Sequence, residues 1–464
     1  MTAATANLGL IGLGAMGRNL GWRLAELHIP LAVYSYDAAE IERFNAGLAV
    51  SVPAAADPAD LVRRLASPRA VLLMVTAGAA VDRVIDDLLP GLEPGDLIID
   101  AGNSHFRDTL QRAARLGADR IGYVGAGISG GAEGARRGAS IMVGADERDW
   151  ARSRPVLEAL AARVDGSVCA ARVGPQGAGH FVKMVHNGIE YALMQLIAES
   201  WQAMEHVLRW DRQRQREAFD RFNRGPVSSF LVGITTEILA YRDPEDDTFL
   251  LDRVSDRAAQ KGTGRWTVEA ALALGVPVPT IAAAVSERLI SASRRPSAAR
   301  SERLPVARVT LRPEAIEGAL FAGFVSSFGQ GFALLAAASD AYGWQLDLAE
   351  VARIWQGGCI IRADLLRDVE AAYQANPAGT SLVDVDPLRS ALLAVEPQWR
   401  EFVACSVAAG ITAPCSSAAL AWHDSLRAAR LPTSLIQAQR DRFGAHGFAR
   451  TDREGEFHAP WKQP

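Results

Sequence analysis

Between Lys183 and Tyr191 the sequence reads Lys-Met-Val-His-Asn-Gly-Ile-Glu-Tyr. An amine, an imidazole, an amide, a carboxyl and a phenol thus fall within one otherwise apolar stretch, and such groups are costly to bury without partners. Projected as a helix at roughly 100° per residue, with Lys183 at zero, Glu190 falls near ~340°, Asn187 near ~40°, Tyr191 near ~80° and His186 near ~300°. Phe181, Val182, Val185, Ile189 and Ala192 occupy the opposite face, about 160° to 260° round. A solvated surface helix would give the same wheel. However, such a face is usually built from repeated Lys, Glu and Gln, whereas this one carries one each of five different groups. A lysine one turn from an amide and two turns from a carboxyl offers a base, an orienting group and an acid together.

Other candidate groups lie on loops. Asn103, in Asp-Ala-Gly-Asn-Ser-His-Phe, follows an apolar run, and Ser129, Gly130 and Gly131 follow the next. Ligands of doubly wound sheets sit outside the carboxyl ends of the strands, so both loops are expected to face one. Backbone N–H groups in the second could hold a carboxylate, or its glycines could simply serve a tight turn. Lys261, Thr263 and Arg265, then Arg288, then Arg440 and His446 are cations and a hydroxyl that could hold a phosphate, although each cation alone reads as a charge facing water.

These groups need a scaffold. Gly12, Gly14 and Gly17 in Gly-Leu-Gly-Ala-Met-Gly follow a strand and open a helix, the context in which this spacing cradles a pyrophosphate at a helix N-terminus. The next strand, Leu-Ala-Val-Tyr-Ser-Tyr-Asp, ends at Asp37, twenty residues beyond Gly17. A carboxylate there accepts ribose hydroxyls and repels a 2′-phosphate, and the first arginine to follow is Arg43, inside the next helix. NAD is therefore expected over NADP. Asp37 also suits a helix N-cap, and the two roles are compatible.

Strand-helix alternation continues through Ser140–Ala145, predicting a mostly parallel, doubly wound sheet over residues 1–178. Long helical patterns punctuated by glycine and proline follow, predicting an all-α domain over 179–435; one such punctuation is the Pro/Ser-rich run at 294–305. Residues 436–464 lose periodicity after Arg442 and read as an extended tail, whose Phe443, Phe448, Phe457 and Trp461 call for a covering surface. The stretches 183–200 and 322–339 align without gaps on small and apolar positions, but only the first carries chemistry.

The 464 residues are 49% hydrophobic and 22% charged with a net charge of −4, which argues against nucleic-acid binding by counterion release. The four cysteines show no metal-ligand spacing and read as reduced thiols, suiting the cytoplasm; no metal site and no signal peptide are expected. The uncharged run 318–339 is long enough to span a bilayer. Its glycines, glutamine and serines favour a buried core helix, so no membrane association is expected.

Gly-Leu-Gly-Ala-Met-Gly-Arg-Asn, Ile-Ile-Asp-Ala-Gly-Asn-Ser-His-Phe-Arg-Asp-Thr, Gly-Ile-Ser-Gly-Gly, the Gly177–Tyr191 segment, Gln-Lys-Gly-Thr-Gly-Arg-Trp-Thr, Gly-Gly-Cys-Ile-Ile-Arg and Leu-Ile-Gln-Ala-Gln-Arg-Asp-Arg-Phe-Gly-Ala-His occur in this order. Together they resemble the decarboxylating 6-phosphogluconate dehydrogenases over nearly the whole chain. The resemblance implies oxidation of 6-phosphogluconate at C3, loss of CO2 and formation of ribulose 5-phosphate, as in the pentose phosphate pathway. It makes Lys183 the base and Glu190 the acid that protonates the enediol. It assigns Asn103, Ser129, Gly130, Gly131, His186 and Asn187 to the sugar acid, and Tyr191, Lys261, Thr263 and Arg288 to the phosphate. Arg440 and His446 would come from the neighbouring subunit of a homodimer, whose tail enters its partner. The cofactor would contact Gly12, Leu13, Gly14, Ala15, Met16, Gly17, Asp37, Val75, Thr76, Ala77 and Asn103.

The sequence departs from this pattern in three places. Ser-Tyr-Asp-Ala-Ala stands where NADP-using members carry Asn-Arg-Thr or Asn-Arg-Ser, Thr76 stands where lysine is common, and His105 replaces a frequent acid. Two alternatives share the glycine loop and the lysine helix: a β-hydroxyacid dehydrogenase acting on a smaller acid, and a non-catalytic NAD-binding scaffold. The first has no use for Lys261, Arg288 and Arg440, and the second none for Lys183 with Glu190.

Overall fold

The computed structural model describes residues 6–294, 309–377, 379 and 381–461; most of the predicted punctuation at 294–305 lies outside them. Nine strands lie in the first part: β1 (Leu8–Ile11), β2 (Leu31–Tyr34), β3 (Ala70–Leu73), β4 (Leu97–Asp100), β5 (Gly122–Ser129), β6 (Ser140–Gly144), β7 (Arg163–Val164), β8 (Ser167–Val168) and β9 (Ala170–Gly174). Seven of them form one sheet in the order β2-β1-β3-β4-β5-β6-β9. Pairing is parallel throughout except between β5 and β6.

The strands are continuous apolar runs because both faces of the sheet are covered. Leu72 of β3 joins one buried cluster with Leu10 and Val33, while its neighbours Val71 and Leu73 join the other with Ile11 and Ala32. The strand order reverses between β1 and β3, where a doubly wound sheet leaves a crevice at its carboxyl edge. The sheet departs from the sequence expectation at β9. Ala-Ala-Arg-Val-Gly has too little bulk to read as a strand, yet it pairs with β6 and finishes the sheet.

Helices follow. Ala178–His206 and Pro313–Tyr342 contain the two similar stretches noted in the sequence, and they pack on one another. Gly331 lies against Ile189 and Gly323 against Leu196, each so close that a Cβ would collide. Small residues at those points let two long helices approach closely. In Pro313–Tyr342, the one described helix long and apolar enough to cross a membrane, 89% of the apolar window is buried inside the protein.

Glu199, on the first of these helices, is a buried carboxylate. It accepts hydrogen bonds from Cys415 N (2.8 Å), Ser416 N (3.0 Å) and Ser416 Oγ (2.7 Å). It thereby satisfies N-terminal N–H groups of the helix that begins at Pro414, where the preceding residue, Ala413, offers no side-chain acceptor.

The chain divides into two compact units, residues 1–419 and 420–464. The second is more ordered than the expected extended tail. A helix, Thr433–Gly444, leads into a small antiparallel pair of strands, β10 (Phe448–Ala449) and β11 (Glu456–Phe457). Asp441 ties this unit together, accepting from Gly447 N (3.1 Å), Ala459 N (3.1 Å), Trp461 Nε1 (2.6 Å) and His458 Nδ1 (2.7 Å). Burial opposes its charge, but the hydrogen bonds outweigh that and hold the carboxyl down at about 2. Phe443 remains 75% exposed, Leu435 64% and Ile436 56%.

Candidate active site

Lys183 is positioned by glycines. The first turns of helix Ala178–His206 cross β5 and β6 so closely that a Cβ on Gly127 would overlap that of Lys183. A Cβ on Gly179 would run into the Gly125 carbonyl. Helix Thr263–Ala273 closes in from another side: Thr267 Oγ1 donates to the Met184 carbonyl (2.8 Å), and Gly188 and Gly264 leave room for Thr267 and the Tyr191 ring.

The residues of the sequence-derived polar band enclose a cavity of about 410 Å3, lined by Lys183, Asn187, Glu190 and Tyr191. Asn103, Ser129, Gly130, Gly131, Lys261, Thr263, Arg288 and Met16 complete it, together with Ile128, Ala259, Gln260 and Ile360. Lys183 Nζ donates to Asn187 Oδ1 at 2.7 Å and lies 3.3 Å from His186 Nδ1. His186 Nε2 is 2.9 Å from Ser129 Oγ. His186 itself is fully buried, with its ring edge-on to Trp355, and reaches the cavity only through Ser129, Lys183 and Asn187.

Burial sets the electrostatics. It lowers the Lys183 amine to about 8, against opposing pulls from Glu190 and Cys359. It raises the Glu190 carboxyl, with Lys183 and Arg288 opposing. His186 is driven well below its usual range by burial and by Lys183, so it is neutral. A lysine pushed down and a carboxyl pushed up within one cavity are suited to act as a base and an acid.

Among the cations of the lining, Arg288 lies over the Tyr191 ring (3.6 Å) and donates to the Ala259 carbonyl (3.0 Å). Lys261 is exposed and Thr263 buried at the start of its helix. Arg265 instead faces out, paired with Glu269 at 3.3 Å. Arg440 and His446 belong to the second unit, where Arg440 donates to Gln437 and His446 packs edge-on to Phe443.

Asn103 is held by a residue that sequence reasoning passed over. Buried Asp100 accepts from Gly102 N (3.1 Å), Ser104 Oγ (2.6 Å) and Tyr123 OH (2.9 Å), fixing the loop that presents Asn103. His105 also gains an explanation. Its Nδ1 accepts from Arg107 N (3.2 Å), capping helix Phe106–Ala118, and its ring meets Trp266 edge-on at 5.0 Å. It thus links the Asn103 loop to the helix that carries Thr263. Among the described residues, no group of three His, Cys, Asp or Glu side chains is gathered to hold a metal.

A second cavity, about 360 Å3, lies in the crevice between β1 and β3, lined by Gly12, Gly14, Ser35, Tyr36, Asp37, Glu40, Met74, Val75 and Thr76, with Ala80, Arg83 and Val84. Gly12 takes φ +94°, and a Cβ on Gly17 would strike the Gly12 carbonyl, so the loop needs both glycines. Ala15 and Met16 begin the helix whose free N–H groups face this crevice, while Leu13 is buried. These features fit a dinucleotide with its pyrophosphate over the glycine loop. Asp37 lines this crevice and takes the helix-cap role that the sequence also allowed. Its carboxylate accepts from Ala39 N (2.9 Å) and lies 3.5 Å from Arg43, so it acts as a helix cap with a surface ion pair.

A glycine loop that lines a dinucleotide crevice with Gly12 and Gly14, and with Met16 a cavity holding a buried lysine and a carboxyl, defines a nicotinamide-dependent hydroxyacid dehydrogenase. The chain belongs to the 6-phosphogluconate dehydrogenase family. Residues 7–174 match the NAD binding domain of 6-phosphogluconate dehydrogenase, and residues 179–461 match the C-terminal domain of that family. The chain is 42% identical over 462 residues to the NADP(+)-dependent, decarboxylating 6-phosphogluconate dehydrogenase of Bacillus subtilis, covering 98% of each chain. It is 41% identical to the decarboxylating enzyme of Mus musculus, covering 99% of this chain and 97% of that one. The solved Plasmodium falciparum 6-phosphogluconate dehydrogenase superposes with a TM-score of 0.92 at 35% identity, covering 98% of this chain and all of that one.

Proposed function

We propose that this chain oxidises and decarboxylates 6-phosphogluconate to ribulose 5-phosphate, and that Lys183 and Glu190 carry the proton transfers. A bound nicotinamide supplies the acceptor for the hydride leaving C3. Neutral Lys183 takes the C3 hydroxyl proton as the C3 carbonyl forms. Protonated Lys183 then returns that proton to the carbonyl oxygen as the C1–C2 bond breaks and CO2 departs, leaving an enediol. Glu190, whose carboxyl is raised by burial, delivers a proton to the enediol carbon that lost the carboxylate while neutral Lys183 takes back the enol hydroxyl proton, giving the ketose. Asn187 orients the amine, and the Ser129–Gly131 loop and Asn103 hold the sugar acid. Lys261, Thr263, Arg288 and Tyr191 hold the phosphate.

The observation that carries this reading is the buried Lys183 amine near 8, facing the same cavity as Glu190 and a cationic rim. The rim argues against the smaller-acid alternative, and the catalytic pair against a non-catalytic scaffold. The test follows nicotinamide reduction spectrophotometrically with 6-phosphogluconate and, separately, unphosphorylated gluconate. Reduction with the phosphorylated acid, accompanied by CO2 release, is expected; equal turnover of gluconate would overturn the phosphate assignment.

The reading extends to NAD as the preferred cofactor, although the Bacillus subtilis relative is named for NADP. Supporting it, β2 leads into Ser-Tyr-Asp-Ala-Ala with no arginine, and Thr76 brings no charge to the crevice. It also extends to a homodimer in which Arg440 and His446 complete the partner's site, supported by the exposed apolar side chains Leu435, Ile436 and Phe443 beside them. Four free cysteines suit a cytoplasmic enzyme.

A further inference from the structure

The crevice between β1 and β3 contains two carboxylates, and the structure gives them different work. Asp37, the residue the sequence marks for the ribose, turns to its own helix and to Arg43. Glu40, one turn further on, reaches back over the glycine loop. Its Oε2 accepts from Ser35 Oγ at 2.6 Å and from the Leu13 N–H at 3.3 Å. Ser35 is nearly buried and has one hydroxyl proton, which goes to Glu40, while its oxygen takes the Asp37 N–H at 3.3 Å. The serine therefore fixes the glutamate. Oε1 lies above Gly14, where a Cβ would sit 3.5 Å away, and among the described residues no donor reaches it.

We infer that Glu40, held by Ser35 and Leu13, is the residue that selects against a 2′-phosphate in this chain. A ribose lying between the end of β2 and the glycine loop would offer its hydroxyls to the free Oε1. A 2′-phosphate in that place would set a dianion against a fixed carboxylate, at a range where repulsion is only partly screened. Arg83 is the cation of the crevice lining, exposed on the helix after β3 and within electrostatic range of Tyr36. Tyr36, also in the lining, donates to Asp87. The inference rests on the NAD reading above and names the residue responsible for it.

The test measures dissociation constants of NAD+ and NADP+ by calorimetry, without sugar acid, for the whole wild-type chain and for Glu40→Gln and Asp37→Asn. Both substitutions remove one charge and keep the size and an acceptor, so the Asp37 cap survives. Glu40→Gln is expected to move the NADP+/NAD+ affinity ratio toward NADP+ by at least about tenfold, and Asp37→Asn to leave it within about twofold. Glu40→Ala, which cannot misplace an amide, is expected to move it the same way. An unmoved ratio in both Glu40 variants, or a larger shift in Asp37→Asn, overturns the assignment. Tighter NADP+ binding by the wild type would sink the NAD reading alone, because the shift between wild type and Glu40→Gln is read independently of it.

Discussion

Gly127 of β5 lies directly beneath Lys183: a methyl group added to the glycine would overlap the lysine Cβ. The position of the Lys183 amine is therefore set by the absence of a side chain on a neighbouring strand. Gly127→Ala is expected to push the helix or bend the strand, costing about 1–3 kcal/mol of stability as overpacking does. Turnover should fall further than stability, by about a hundredfold for a shift near one ångström. Steady-state kinetics at a temperature where the variant is folded, with its cofactor dissociation constant unchanged, would establish this. A variant with wild-type kcat would show that Lys183 tolerates displacement.

The protonation of Lys183 links activity to stability. Its folded pKa near 8 lies below the ordinary lysine value of 10.5. Between those values the unfolded chain binds more protons than the folded one, so the lysine's contribution to stability rises with pH through that window. Below it, the amine is a standing cost. Lys183→Met is thus expected to abolish turnover and raise the melting temperature at pH 7, with the advantage over wild type shrinking as pH nears about 10. In the wild type, kcat/KM should follow a bell in pH, because turnover needs Lys183 neutral and Glu190 protonated at once. A melting difference independent of pH would sever the link.

Some of this was legible in the sequence and some was not, for physical reasons. The parallel sheet was readable because β1 to β5 are apolar on both faces, and the polar band from Lys183 to Tyr191 was readable because helical spacing is local. Glu40, Asp100 and Glu199 were not. Each matters through partners far along the chain or through a side-chain direction that spacing alone does not fix. Asp100 looks like an ordinary strand end until Tyr123 and Ser104 converge on it. The antiparallel turn into β6 and the small-residue strand β9 were invisible for the same reason, since only the neighbouring strands define them.

Glu199 offers a direct measure of such a distant role. Glu199→Ala would leave four donors, Cys415 N, Ser416 N, Ser416 Oγ and Gln195 Nε2, without their acceptor inside the protein. Loss of a buried acceptor with several partners is expected to cost about 2–4 kcal/mol. Urea denaturation should show the midpoint falling with little change in slope. Glu199→Gln, which keeps one carbonyl acceptor, should recover part of the loss, and a loss below about 0.5 kcal/mol for the alanine variant would mean that the helix start is satisfied without it.

The proposed exchange of tails between subunits has a test that does not depend on seeing the dimer. Arg440 lies in a unit organised by Asp441, so Arg440→Ala should leave the Asp441 hydrogen bonds in place while removing the cation. Lys183→Met and Arg440→Ala chains are each expected to be inactive or nearly so as homodimers. If the tail works in the partner's site, a mixed dimer holds one site with both defects and one with neither. Random reassortment of equal amounts makes about half the dimers mixed, so activity should return to about a quarter of wild type. If each chain used its own tail, every site in the mixture would carry one defect and no activity would return. Refolding the two variants together and assaying the mixture distinguishes these outcomes, with each variant refolded alone as the reference.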